Sequence, residues 1–152
     1  MPALLTLTPA ARRTFLRILA AVAAADGEVS PEEQSALRGA QIALGLTDEP
    51  LPARPRLDQL DTAILSPRER MLVMTAAVWM ALADGIRRRT ESELLARLRD
   101  RLGLDPEDAR FMAAHARWVR TSTDLPWHRE LDVLLTEAAK RITQMERARA
   151  AA

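Results

Sequence analysis

Two short acidic segments are the parts of this sequence best suited to chemistry. The segments Asp26–Glu33 and Asp84–Glu91 each begin with Asp-Gly and end with a glutamate. An EF-hand has the same spacing between its turn glycine and its closing glutamate, which binds the ion through both oxygens. Carboxylate oxygens are the ligands that hard cations such as Ca²⁺ and Mg²⁺ prefer. A divalent cation is therefore the first chemistry to consider for both segments.

A complete EF-hand is excluded by the residues that precede each Asp-Gly pair. The first and third ligand positions of such a loop would be Val22 and Ala24 in one segment, and Met80 and Leu82 in the other. These side chains offer no oxygen, and a Ca²⁺ ion needs six or more oxygen ligands. Neither segment can therefore form a site alone.

A shared site is the alternative, in which the two segments face each other around one Ca²⁺ or Mg²⁺ ion. Its predicted ligands are Asp26, Glu33, Asp84 and Glu91. At about 5 Å and an effective dielectric near 20, each carboxylate pair repels by about 3 kcal/mol, so protons or cations must neutralise the group. The side chains that would neutralise the acids in place of a metal ion are Arg87, Arg88 and Arg89. The same three arginines are a candidate site for an anion or a protein partner. Each acid also has a purely structural alternative, as a capping or first-turn residue of a helix.

Helix-capping motifs and apolar spacing predict an all-α fold of about seven helices without strands. Segments 30–33 (Ser-Pro-Glu-Glu) and 66–69 (Ser-Pro-Arg-Glu) are capping boxes, and Thr90 with Glu93 is expected to form a third. A short helix is expected over 58–64 and the last from about 126 to 147. Trp79 and Trp118 are predicted core residues.

The acidic segments belong to a longer internal repeat. Asp26 corresponds to Asp84, Glu33 to Glu91 and the Leu-Gly-Leu of 44–46 to that of 102–104, all at an offset of 58 residues without a gap. Neither half could bury its apolar face alone, so we expect two helical hairpins related by a pseudo-twofold axis, plus a C-terminal helix. The prediction is a single domain over 1–152, with a proline-rich linker at about 46–57.

Composition excludes several classes of function. The absence of cysteine removes disulfides, thiolate zinc sites and cysteine nucleophiles. With 22 Lys and Arg against 21 Asp and Glu, there is no overall basic field for nucleic acid. His115 and His128 lack zinc-site spacing, and no Gly-x-Ser-x-Gly motif is present, so no enzyme is predicted. No uncharged apolar stretch reaches about 18 residues, so no membrane span is expected, whereas peripheral association stays open.

A cytoplasmic location is expected, with one alternative. Residues 12–17 (RRTFLR) followed by the apolar run 18–25 are similar to a twin-arginine export signal with a cleavage site after Ala25. Against export, the apolar run is short. Cleavage would also remove a segment that has a counterpart later in the chain.

These features together resemble the tellurite-resistance TerB-like family. The resemblance rests on AAVAAADGEVSPEE with ALGL, and on AVWMALADGIRRRTE with LGL, and it covers roughly Thr8 to Phe111. It implies an all-helical bacterial domain with an accessory role in stress response, cation binding by the four acids named above, and no established catalytic activity. The arginine triplet and the proline-rich insert depart from the family pattern. The alternative function is a metal-free scaffold that presents a helical groove or the arginine-rich turn to a protein partner.

Overall fold

The computed structural model describes residues 3–85 and 89–152, which form helices and their connections. The α-helices of this part of the chain are α1 (Pro9–Ala23), α2 (Pro31–Ala43), α3 (Pro67–Ala81), α4 (Arg89–Arg101), α5 (Pro106–Ser122) and α6 (Trp127–Ala151). Short 3₁₀ helices occupy Ala3–Thr6, Leu57–Gln59 and Thr62–Ile64, and no strand occurs within these ranges. The all-α prediction is confirmed.

The predicted helix over 58–64 is two separate 3₁₀ helices, which leaves six α-helices rather than seven in the described ranges. Leu60 is extended, with ψ at 135°, and separates the two. The Asp61 side chain accepts a hydrogen bond from the Ala63 amide at 3.1 Å. This local bond offers the backbone an alternative to continuing the helix.

Side-chain caps set the helix starts as the sequence predicts. Ser30 and Ser66 each form a complete capping box, with Glu33 and Glu69 respectively. The capping box predicted at Thr90 is wrong, because α4 begins one residue earlier at Arg89. Thr90 therefore lies inside the helix, where its side chain cannot take the N-cap position.

The first four α-helices have matching bounds at the predicted offset. Helices α1 and α3 have 15 residues each and start at Pro9 and Pro67, whereas α2 and α4 have 13 each and start at Pro31 and Arg89. The turn glycines also agree, with φ of 91° at 27, 69° at 45, 76° at 85 and 66° at 103. Such positive φ values favour glycine. The pseudo-twofold relation of the two hairpins stays a prediction.

Helix α3 lies at the centre of the molecule. Every residue from Met71 to Ala81 is buried, as expected for a helix that is apolar on all sides. It packs against the other five helices, α1, α2, α4, α5 and α6, and α6 also covers α2. No helix of the described ranges is long and apolar enough to cross a membrane.

Trp118 corrects the predicted core. Its exposed fraction is 62% and that of Phe111 is 43%, whereas Trp79 is fully buried. The buried face of α5 contains Met112 and Val119. Trp118 is one residue before Val119 and is therefore turned about 100° away around the helix. An apolar residue type alone does not place a side chain in the core.

Candidate functional site

The first acidic turn connects α1 to α2. The chain leaves α1 after Ala23 and changes direction at Gly27, whose amide donates to the Ala24 carbonyl at 3.0 Å. The Asp26 carboxylate accepts from the Glu28 amide at 3.3 Å, which orders the turn from within. Asp26 is half-buried, so its carboxylate lies at the surface of the turn.

Glu33 is the buried acid of the first hairpin, with an exposed fraction of 3%. Its Oε1 accepts from the Ser30 amide at 3.0 Å, and its own amide donates to the Ser30 hydroxyl at 3.1 Å. Burial raises the pKa of Glu33, and the hydrogen bonds with Ser30 oppose this change. Repulsion by the charges of Asp84 and Asp26 raises the pKa further. Glu33 therefore lies within electrostatic range of the acidic turn of the other hairpin.

The second acidic turn connects α3 to α4. The Gly85 amide donates to the Leu82 carbonyl at 3.0 Å, as Gly27 does in the first turn with Ala24. Glu91 follows in the first turn of α4 and has an exposed fraction of 2%. Both glutamates of the predicted site are thus buried, at matching positions of α2 and α4. A carboxylate at this position is also favoured by the helix dipole.

The arginine triplet lies only partly within the described residues. Arg87 and Arg88 are outside them. Arg89 forms an ion pair with Glu93 at 3.0 Å, and its side chain is 91% exposed. A surface pair of this kind contributes little to stability. The anion or partner role predicted for the triplet stays a prediction.

The four predicted ligands fit a cation in chemistry but not as a complete ligand set. Their carboxylates are hard donors, and the repulsion that Glu33 experiences is the kind that a cation relieves. Within residues 3–85 and 89–152, however, no three or more Asp, Glu, His or Cys side chains are placed to hold one metal ion. The four-carboxylate ligand set is therefore not assembled within these ranges.

The raised pKa of Glu33 gives a testable dependence of stability on pH. The folded state binds the proton more tightly than the unfolded chain, whose pKa is near 4.5. The stability supplied by the protonated carboxyl is present below pH 4.5 and is lost as the pH rises through the folded pKa. We expect Glu33→Gln to abolish this loss, because the amide is uncharged and its oxygen still accepts from Ser30.

Urea unfolding of both proteins at pH 4 and at pH 7 would measure this difference. Glu69→Gln is the matched control, since Glu69 has the same capping position at the start of α3, the end away from Asp84. An equal change of stability with pH in the wild type and in Glu33→Gln would contradict the prediction.

A buried polar cluster that sequence reasoning missed joins α3, α5 and α6. Glu130 is 2% exposed and accepts from the Trp79 indole at 3.1 Å and from Arg120 at 2.9 Å. The Arg120 guanidinium also lies 4.6 Å from the centre of the Trp127 ring, which meets Trp79 edge to face at 5.7 Å. Trp127 is therefore a packing residue. In the sequence, the only indication of this cluster was Trp79, because a buried indole N–H needs a hydrogen-bond acceptor.

His115 is a second buried titratable residue, on the α5 face toward α6. Its exposed fraction is 5%, and its Nε2 lies 3.3 Å from the Leu134 carbonyl. Burial lowers the pKa of His115. The Leu134 carbonyl and the charge of Glu137 oppose this change, whereas Arg141 adds to it. His115 is therefore neutral in the folded protein at neutral pH.

The lowered pKa of His115 predicts a loss of stability in mild acid. The contribution of the neutral imidazole is present above the unfolded pKa of 6.5 and is lost as the pH falls through the folded pKa. Urea midpoints from about pH 8 to pH 5 would follow this loss. His115→Gln should flatten the profile, whereas His128→Gln, which changes the other histidine, should not. A profile of unchanged slope in His115→Gln would count against the prediction.

Comparison with known proteins identifies one family. Residues 4–54 match the family model described as tellurite resistance protein TerB. Neither the curated proteins nor the solved structures contain a match to the chain. The matched residues include α1, the first acidic turn and α2. The resemblance expected over roughly Thr8 to Phe111 is thus matched in its first hairpin, and its extension over the second hairpin stays a prediction. The resemblance to the TerB-like family is therefore confirmed over residues 4–54.

Proposed function

We propose that this protein is a non-enzymatic accessory domain of the TerB type, and that its two acidic turns bind one divalent cation, Ca²⁺ or Mg²⁺. The residues that would hold the ion are Asp26, Glu33, Asp84 and Glu91. The observation that carries the proposal is the burial of Glu33 and Glu91 at matching positions of α2 and α4, beside which repulsion by Asp84 of the other hairpin adds to the raised pKa of Glu33. A shared cation would turn this repulsion into an attraction and would couple the hairpins.

Burial strengthens the electrostatic argument. Glu33 and Glu91 are almost inaccessible to water, so the repulsion that reaches them is less screened than it would be on the surface. A bound cation would supply positive charge and Lewis acidity, and only the positive charge is needed to couple the two acidic turns. The ligand set is not assembled in the described residues, and the cost of assembling it lowers the expected affinity.

Titration of CaCl₂ and of MgCl₂ into chelator-treated protein tests the proposal by calorimetry and by thermal unfolding. A true site adds about 2.7 kcal/mol of stability at 100 times its dissociation constant. The double variant Asp26→Asn, Asp84→Asn should lose this gain. Asp48→Asn, Asp124→Asn is the matched control, because it removes the same charge from two exposed positions. No heat and no change in melting temperature at millimolar cation would exclude the site.

A metal-free interaction scaffold is the second candidate function, and the exposed apolar residues favour it. Trp118 and Phe111 on α5 and Val133 on α6 are exposed by 62%, 43% and 40%. Large exposed aromatic residues are typical of surfaces that bind another protein. This function predicts that the double variant Asp26→Asn, Asp84→Asn keeps the stability of the wild type at every cation concentration. The partner would be a protein, and the expected location is the cytoplasm.

A further inference from the structure

A cavity of about 520 Å³ lies between the end of α1, the start of α4 and the proline-rich linker. Its apolar wall includes Ala21 of α1, and Ala24 and Ala25, which follow the end of that helix. Arg54 and Arg56 of the linker and Arg97 of α4 also line it. The cavity belongs neither to the acidic ligand set nor to the exposed apolar surface of α5 and α6.

The three arginines of this cavity have no acidic partner within residues 3–85 and 89–152. Elsewhere in these ranges, arginines such as Arg13 and Arg149 pair with carboxylates at 2.8 and 2.7 Å. The guanidinium groups of Arg54, Arg56 and Arg97 form no ion pair or hydrogen bond with the described residues. Three exposed arginines therefore line one cavity.

Two carboxylates also line the cavity and oppose this positive charge. Glu93 forms its ion pair with Arg89, which lies outside the lining. Asp58 is exposed, and only its backbone carbonyl accepts a hydrogen bond from an arginine, that of Arg101 at 3.1 Å. The lining thus has one more positive than negative charge, which favours an anion of modest affinity.

A comparison of corresponding positions in the two hairpins explains why the cavity is present. At the offset of 58 residues, Ala21 corresponds to Trp79 and Arg97 to Gly39. Trp79 of the second hairpin packs on Trp127 of α6, whose Cβ would be 2.5 Å from a Cβ added at Gly39 of the first hairpin. In the first hairpin an alanine takes the place of the tryptophan, and α6 covers α2 rather than α4. The space therefore remains, and arginines line it.

The backbone of the linker also holds one arginine in a strained conformation. Arg54 has φ of 33°, and within residues 3–85 and 89–152 it is the only residue other than glycine with positive φ. Such a conformation costs an L-residue about 1–2 kcal/mol and is common at ligand-binding positions. Pro55 follows it and restricts the backbone further.

We propose that this cavity binds a small soluble ligand through a phosphate group, with Arg54, Arg56 and Arg97 as its donors. Guanidinium groups match phosphate oxygens with paired hydrogen bonds, which are stronger than those of neutral donors. The alanine wall at the end of α1 shields one side of the ligand from water and so strengthens these bonds. The site needs no divalent cation and does not depend on the function proposed above.

Calorimetric titration of sodium pyrophosphate at constant ionic strength and in EDTA tests the proposal. We expect saturable binding by the wild type, and an affinity at least about tenfold weaker in Arg56→Gln, Arg97→Gln. Arg38→Gln is the matched control, because Arg38 is an exposed arginine on α2 that does not line the cavity. It should bind like the wild type.

A second variant tests whether binding needs the space of the cavity or only the positive charge around it. Ala21→Trp introduces the residue that the second hairpin has at the corresponding position, so it fills the cavity without changing any charge. Circular dichroism would establish that it is folded, and we expect it to lose pyrophosphate binding. Undiminished binding by Ala21→Trp, an equal loss in Arg38→Gln, or no saturable binding by the wild type would overturn the proposal.

Discussion

Replacing Glu130 with alanine is expected to destabilise the fold by about 3–5 kcal/mol, the cost of breaking a buried ion pair by removing one partner. Glu130 is 2% exposed and accepts from both Arg120 and the Trp79 indole. Without it, the Arg120 guanidinium, which is 23% exposed, would lose its carboxylate. The buried indole N–H would lose its acceptor as well.

Urea unfolding of Glu130→Ala against the wild type measures this loss. Glu146→Ala is the matched control, because Glu146 is 57% exposed in its pair with Arg68. A surface pair should cost no more than about 1 kcal/mol. A loss below 1 kcal/mol in Glu130→Ala would mean that the cluster is dispensable for stability.

Replacing Gly39 with alanine should destabilise the protein by about 2–3 kcal/mol, although alanine is the better helix former. An added Cβ would lie 2.5 Å from the Trp127 Cβ and 2.8 Å from the His128 amide nitrogen. The second of these is a backbone atom, so no side-chain rotation relieves the clash. Helix α6 would have to move away from α2.

Ser35→Ala provides the control for Gly39→Ala, since Ser35 is an exposed residue of the same helix. Its stability should stay within about 0.5 kcal/mol of the wild type. Thermal and urea unfolding measure both variants. A Gly39→Ala protein as stable as the wild type would show that α2 and α6 can separate at no cost.

Helix starts and turns were predictable because their causes are local. Ser30 and Ser66 accept hydrogen bonds from residues three positions later, and the turn glycines require positive φ. The face of a helix that becomes buried depends on distant elements. For this reason Trp118 was wrongly placed in the core, and Glu130, whose partners come from α3 and α5, was not noticed at all.

For the candidate site, residue types were predictable and ligand geometry was not. Spacing indicated Glu33 and Glu91 as a matched pair, and both are buried at the same position of their helices. The charge of Asp84 contributes to the raised pKa of Glu33, whereas the close approach of the two turns stays a prediction. Whether side chains converge on one point depends on rotamers and on helix packing, which the spacing of residues along the chain does not determine.

The contact between Trp79 and Trp127 also determines how this protein can be observed in solution. The chain has three tryptophans and no tyrosine, so its intrinsic fluorescence comes almost entirely from indole rings. Two of these rings meet where α6 packs on α3, and the third, Trp118, faces water. Changes in emission therefore report chiefly on the docking of the last helix, over a steady background from the exposed ring.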